Sequence, residues 1–302
     1  MTTPIPRRVF PLLIALLSAG IACSLLSQKP NEQDNKEQGH IAFVDPDGNI
    51  RVITPDLSEN NVVLSGGGYF SPSWSPDGRK LAYIRNNAEI WVYDFDTEKS
   101  VMIHQEDQDC FANPECVVRI LHWAYDNSGV YFHGGGGGPN WNHIKCVNVD
   151  GPSCDTFSLW SYPGFDISRS GRIVYLNFSN ADALGYGLAI YDIHGAISRD
   201  LIPLLPDTYE HQTGGPSWSP DESQVALYID GKLITVLSNG RGQTTLTEAK
   251  LSWNGVNPPT TSWSLDGSYI AYEDGGYIWI IDTEGKNSPH QVTQGSAPSW
   301  GP

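Results

Sequence analysis

Short runs of alternating apolar and polar residues, separated by clusters of Pro, Asp, Asn and Gly, fill most of this 302-residue chain. Lys80-Leu-Ala-Tyr-Ile84, Glu89-Ile-Trp-Val-Tyr-Asp94 and Tyr277-Ile-Trp-Ile-Ile-Asp282 are examples. A period of two over five or six residues predicts half-buried β-strands. The separators have turn chemistry. In Ser75-Pro-Asp-Gly78 the proline presets φ, the aspartate can bond back to the backbone, and the glycine tolerates a positive φ.

The pattern repeats. Pro72-Ser-Trp-Ser-Pro-Asp-Gly-Arg-Lys-Leu-Ala-Tyr83 returns at Pro216–Leu227 and Thr261–Tyr272, and Pro298-Ser-Trp-Gly-Pro302 is a stub of it. Degenerate copies lie at Leu121–Phe132, which keeps the Trp, and at Phe165–Tyr175, where Ile167 takes its place. The anchors Trp74, Trp123, Ile167, Trp218, Trp263 and Trp300 are spaced by about 37 to about 51 residues, around the period of a propeller blade. Each unit reads as four short strands, the fourth being Ser100–His104 in one unit and His290–Thr293 in another. Six anchors predict an all-β fold: a six-bladed β-propeller of four-stranded antiparallel blades.

Closure follows from the ends. His40–Val44, Asn49–Ile53 and Val62–Leu64 read as the second to fourth strands of a blade without a Trp-bearing first strand. Ala297–Gly301 reads as a first strand with nothing after it, so it should pair into that blade and cover an otherwise open edge.

These units resemble the repeats of TolB-type six-bladed propellers from bacterial periplasmic and surface proteins. The likeness covers residues 40–302 and is strongest in blades two, five and six. It implies a scaffold for protein interaction or ligand binding. The same repeat also occurs in propeller domains attached to serine peptidases.

Charged residues make up 17% of the chain, below the usual ~25%, while Gly and Trp are abundant, as suits a turn-dense β protein with aromatic anchors. The net charge of −16 argues against a nucleic-acid partner, which needs clustered Lys and Arg. Arg7 and Arg8 precede the apolar run Val9–Leu17, and Ala22-Cys23 follows. That layout predicts an export signal over residues 1–22, with Cys23 lipidated as in bacterial lipoproteins. Residues 23–39 are polar and read as a tether. Cys110 with Cys116, and Cys146 with Cys154, form two close pairs that read as disulfides in an exported chain; four cysteines allow three pairings. The expected location is the extracytoplasmic side of a membrane, held there by the lipid alone.

The sequence holds no Gly-x-Ser-x-Gly elbow, no His-Glu-x-x-His and no phosphate loop. The run His133–Pro139 reads as a hairpin tip. The long loops, His133 to His143 and Asn177 to Gly187, break an otherwise regular scaffold, where function often resides. They share a face with the loops leading into each first strand. The candidate ligand-binding residues on that face are Tyr69, Trp141, His143, Asp182, Tyr186, Tyr209, His211 and Trp253. Exposed aromatics beside a few polar groups suit a protein, a peptide or a glycan. Each aromatic alone is more simply read as packing its own loop. His133, His143 and His211 could together bind a metal, but their spacing does not support convergence. The turn aspartates Asp77, Asp126, Asp221 and Asp266 read as turn formers rather than calcium ligands. Asp182 with Glu210 is the one loop pair to screen for glycoside hydrolysis.

The expectation is a monomeric binding module of the bacterial envelope, without a cofactor or metal, whose partner is an envelope protein or peptide. The alternative is a carbohydrate-binding or carbohydrate-active propeller.

Overall fold

The computed structural model describes residues 39–106, 118–134, 143–149, 157–159, 161–178, 186–195, 197–202, 214–249 and 259–302. Among these lie twenty-four strands, β1 to β24 in chain order, arranged as six four-stranded antiparallel sheets. The innermost strands are β24 (Ser296–Gly301), β4 (Tyr69–Trp74), β8 (Val118–Trp123), β12 (Ser161–Ile167), β16 (Gly214–Trp218) and β20 (Thr261–Trp263). Each contacts the next and β20 contacts β24, so the ring is closed.

Closure occurs where the sequence places it. β24 pairs antiparallel with β1 (His40–Val44), with Trp300 opposite Ile41. The other anchors hold the same register against their second strands: Trp74 faces Leu81, Trp123 faces Val130, Ile167 faces Ile173, Trp218 faces Val225 and Trp263 faces Ile270. Turn chemistry fixes that register. The turn aspartates accept local bonds, as Asp221 does from the Ser219 hydroxyl at 2.6 Å and the Ser223 N–H at 3.0 Å. The fourth residue after each turn-bearing anchor is left-handed: Gly78, Asn127, Gly171, Glu222 and Gly267 have φ between 58° and 77°.

The cores lie between blades. Trp123 packs with Ala82, Ile84, Ile90 and Val92 of the preceding blade and with Val130 and Phe132 of its own. Trp218, Trp263 and Trp300 fill the equivalent seams further round. Two indoles also bond backwards: Trp123 Nε1 donates to the Ser73 carbonyl at 2.9 Å, and Trp263 Nε1 to the Ser217 carbonyl at 3.1 Å. The repeated Trp is therefore a peg between blades, with its polar edge satisfied in these two cases.

Candidate functional site

The innermost strands surround a channel, and position relative to the anchor sets depth along it. One cavity of the channel, about 230 Å³, opens among the turns that follow the anchors. Two residues after four of the anchors come Pro76, Tyr125, Pro220 and Leu265, which line its mouth. Tyr125 and Leu265 are exposed at 45% and 46%, large values for apolar bodies, and the Arg169 guanidinium sits 4.4 Å from the Tyr125 ring centroid.

One residue before each anchor the wall turns polar: Ser73, His122, Asp166, Ser217, Ser262 and Ser299. Three of these side chains cap the next blade. Ser299 Oγ accepts the Trp74 N–H at 3.3 Å, Ser262 Oγ accepts the Trp300 N–H at 2.8 Å, and Asp166 Oδ2 accepts the Trp218 N–H at 2.7 Å. The two blades whose repeats are degenerate replace serine by histidine and aspartate, and those two side chains meet. His122 Nδ1 lies 3.1 Å from Asp166 Oδ1, which also accepts the Ile167 N–H at 2.7 Å. A carboxylate that receives these donors can only accept, so Nδ1 carries the proton and Nε2 is the ring's remaining polar atom. The edge of the Phe165 ring, 5.0 Å between centroids, steadies the imidazole.

Three residues before the anchor the backbone is strained. Ser71, Ile120, Gly215 and Ala297 have φ of 45° to 52°, and Gly164 has φ 146°. A β-branched residue such as Ile120 rarely adopts this conformation. Register shifts accompany the strain: β4, β8, β12, β16 and β24 bulge here, as between Phe70 and Ser73 or Arg119 and Leu121, whereas β20 pairs without a shift. At Gly215 a Cβ would lie 2.5 Å from the Pro259 carbonyl oxygen, so the neighbouring blade permits only glycine. Ser71, Ile120, Thr260 and Ala297 form the waist, shared with a second cavity.

That second cavity, about 190 Å³, opens at the end of the ring where β1 leads into the next strand and β4 begins. Asp45, Pro46, Tyr69, Phe70 and Glu273 line it. Tyr69 packs edge-on against Tyr83 at 5.4 Å and donates from its hydroxyl to the Ser65 carbonyl at 3.1 Å. Burial pushes the Glu273 carboxyl up to about 7; the Ala297 N–H, 3.3 Å from Oε2, only partly offsets that.

Of the residues singled out in the sequence, Tyr69 is at this mouth. His143 and Tyr186 are not loop residues: they begin β10 (His143–Asn148) and β14 (Tyr186–Asp192). His133 is not part of a hairpin tip either. It lies in β9 (Gly129–Gly134), is 4% exposed and faces Ile144 across the ladder, because the alternating strand runs further than the glycine run suggests. Trp141, Asp182, Tyr209, Glu210, His211, Trp253, Cys23, Cys110, Cys116 and Cys154 lie outside the described residues. Cys146, in β10, is disulfide-bonded to a cysteine outside them. The sequence reading missed His122, Asp166 and Glu273. The first two had a signal: they are the departures from serine at the position before the anchor.

Among solved structures, one assigned as TolB from Agrobacterium tumefaciens superposes with a TM-score of 0.61 over 86% of this chain and 91% of that one, at 12% identity. The fold is that of a TolB-like propeller. An oligogalacturonate lyase solved with manganese superposes at a TM-score of 0.49, 13% identity, over 82% of this chain and 70% of that one. Among curated proteins, a tricorn protease homolog of Saccharolobus solfataricus is 24% identical over 142 residues, 46% of this chain. The match spans 12% of that protein's length. No family model matches the chain.

Proposed function

We propose that this chain is a non-enzymatic binding module of a bacterial cell envelope, which recognises a protein or peptide partner through the loop-bearing mouth of its propeller. The observation that carries the reading is the mouth itself. A solvent-open cavity combines an aromatic, Tyr69, with a carboxyl, Glu273, that burial leaves incompletely satisfied. An aromatic anchor beside a desolvated polar group is the composition of an interface hot spot. Residues 1–22 then act as the export signal, Cys23 as the lipidated anchor and residues 23–39 as the tether that lets a monomeric ring reach its partner. Cys146 with Cys154 and Cys110 with Cys116 are the disulfides of this reading. The TolB-like fold supports a scaffold role.

A photo-crosslinking residue at position 69 tests the proposal in cells. It should trap a discrete envelope protein, whereas the same residue at Val101, which is 62% exposed on an outer strand, should not. No adduct at position 69, or the same adducts at both positions, would refute the reading.

A further inference from the structure

The opposite half of the channel has its own chemistry, and we infer that it is a binding site for a neutral, hydroxyl-rich small molecule, a single sugar ring, held by His122. The inference is independent of the partner proposed for the loop-bearing mouth. Ligand charge is decided by the wall. An anion would enter a chain of net charge −16 and meet Asp166. A cation would compete with three donors already on Asp166: His122 and the Ile167 N–H at Oδ1, and the Trp218 N–H at Oδ2. Among the described residues no group of three or more His, Cys, Asp or Glu is placed to hold a metal ion.

What remains suits hydroxyls. Ser262 and Ser299 each accept one backbone N–H, which leaves each its own proton to donate. His122 supplies the complementary group: with Nδ1–H committed to Asp166, Nε2 is the polar atom left for a ligand, an acceptor in the neutral ring. Two O–H donors with one nitrogen acceptor match a polyol, whose hydroxyls both donate and accept. The cavity of about 230 Å³ is below the ~300–1,000 Å³ of sites for drug-sized ligands, so it has room for one ring and not for a chain. Tyr125 and Leu265 at the mouth add apolar surface for the carbon side of that ring, although one face of Tyr125 carries the Arg169 guanidinium.

Asp166 is a positioning residue here, and the repeat supplies the variant that separates its two roles. Ser299 and Ser262 already cap their neighbouring blades as Asp166 does, so Asp166→Ser should keep the Trp218 cap. With His122→Ser, it converts blades three and four to the pattern of the other four. The probes are the methyl glycosides of glucose, galactose, mannose and N-acetylglucosamine, tested on the full chain by saturation-transfer NMR. At least one should receive saturation from the wild-type protein and bind at least ten-fold more weakly to His122→Ser/Asp166→Ser, with Tyr69→Ala unchanged. In the wild type the bound glycoside should also shift the His122 ring resonance, assigned by its loss in His122→Gln. That readout does not depend on the double variant folding. No transfer from any of the four probes, undiminished binding by a folded double variant, or an unmoved His122 resonance would overturn the site.

Discussion

Glu273 lies at one end of the channel and His122 at the other, and burial acts on the first of them in a way that pH can read. The Glu273 carboxyl moves from 4.5 to about 7 because it is desolvated between blade six and the closing strand. Between those values the folded protein holds a proton that the unfolded chain has released, so stability falls as pH rises through this window. Glu273→Gln removes the titration while keeping the shape. The variant should gain Tm over the wild type at pH 8 and gain much less at pH 5; an equal difference at both would show that Glu273 is not desolvated. Glu106 behaves oppositely. Its carboxyl is held low by the His104 imidazole, whose Nε2 lies 3.5 Å away, and, against the cost of burial, by Lys145 at 2.9 Å, so its contribution is lost as pH falls. Neither group stands out in the sequence, where an isolated Glu on a strand says nothing about its burial. His122 and Asp166 were legible in principle, but only once the degenerate blades are aligned on their anchors.

At the scale of the strand, most of the architecture was written in the alternation and the turns. The anchor residues, the Ser-Pro-Asp-Gly turns and the C-terminal strand all occupy the register that the repeat implies. The bulge three residues before five of the six anchors was not legible. Gly164 and Gly215 suit a positive φ, but Ser71, Ile120 and Ala297 carry no such mark; the packing of six strands round a narrow channel imposes it. The long loops were overestimated for a related reason. Glycine and tyrosine at strand ends look like loop residues until the ladder partner is known, as at Gly134 opposite His143 and Tyr186 opposite Phe178. The closing strand gives the test at this scale. Losing a buried Trp alone costs about 3–5 kcal/mol, against a total of about 5–15 kcal/mol for a typical domain. Deleting residues 297–302 removes Trp300 together with its ladder to β1, so the whole ring should lose its cooperative melting transition in calorimetry. A truncated chain that melts like the intact one would show that the ring does not depend on this closure.

Taken as a whole molecule, the propeller is a conserved-geometry frame around one channel with two unlike mouths. The loop-bearing mouth is acidic and aromatic; the turn-bearing half is a ring of hydroxyls interrupted by a His–Asp pair. Function should therefore divide along the channel axis, with different groups serving each end. The most direct measurement places three folded proteins side by side: the wild type, Tyr69→Ala/Glu273→Gln, and His122→Ser/Asp166→Ser. Each is assayed for capture of the crosslinked envelope partner and for methyl glycoside binding. The account predicts that the first variant loses the partner and keeps the glycoside, while the second loses the glycoside and keeps the partner. Loss of both ligands in either variant, or of neither in both, would contradict it.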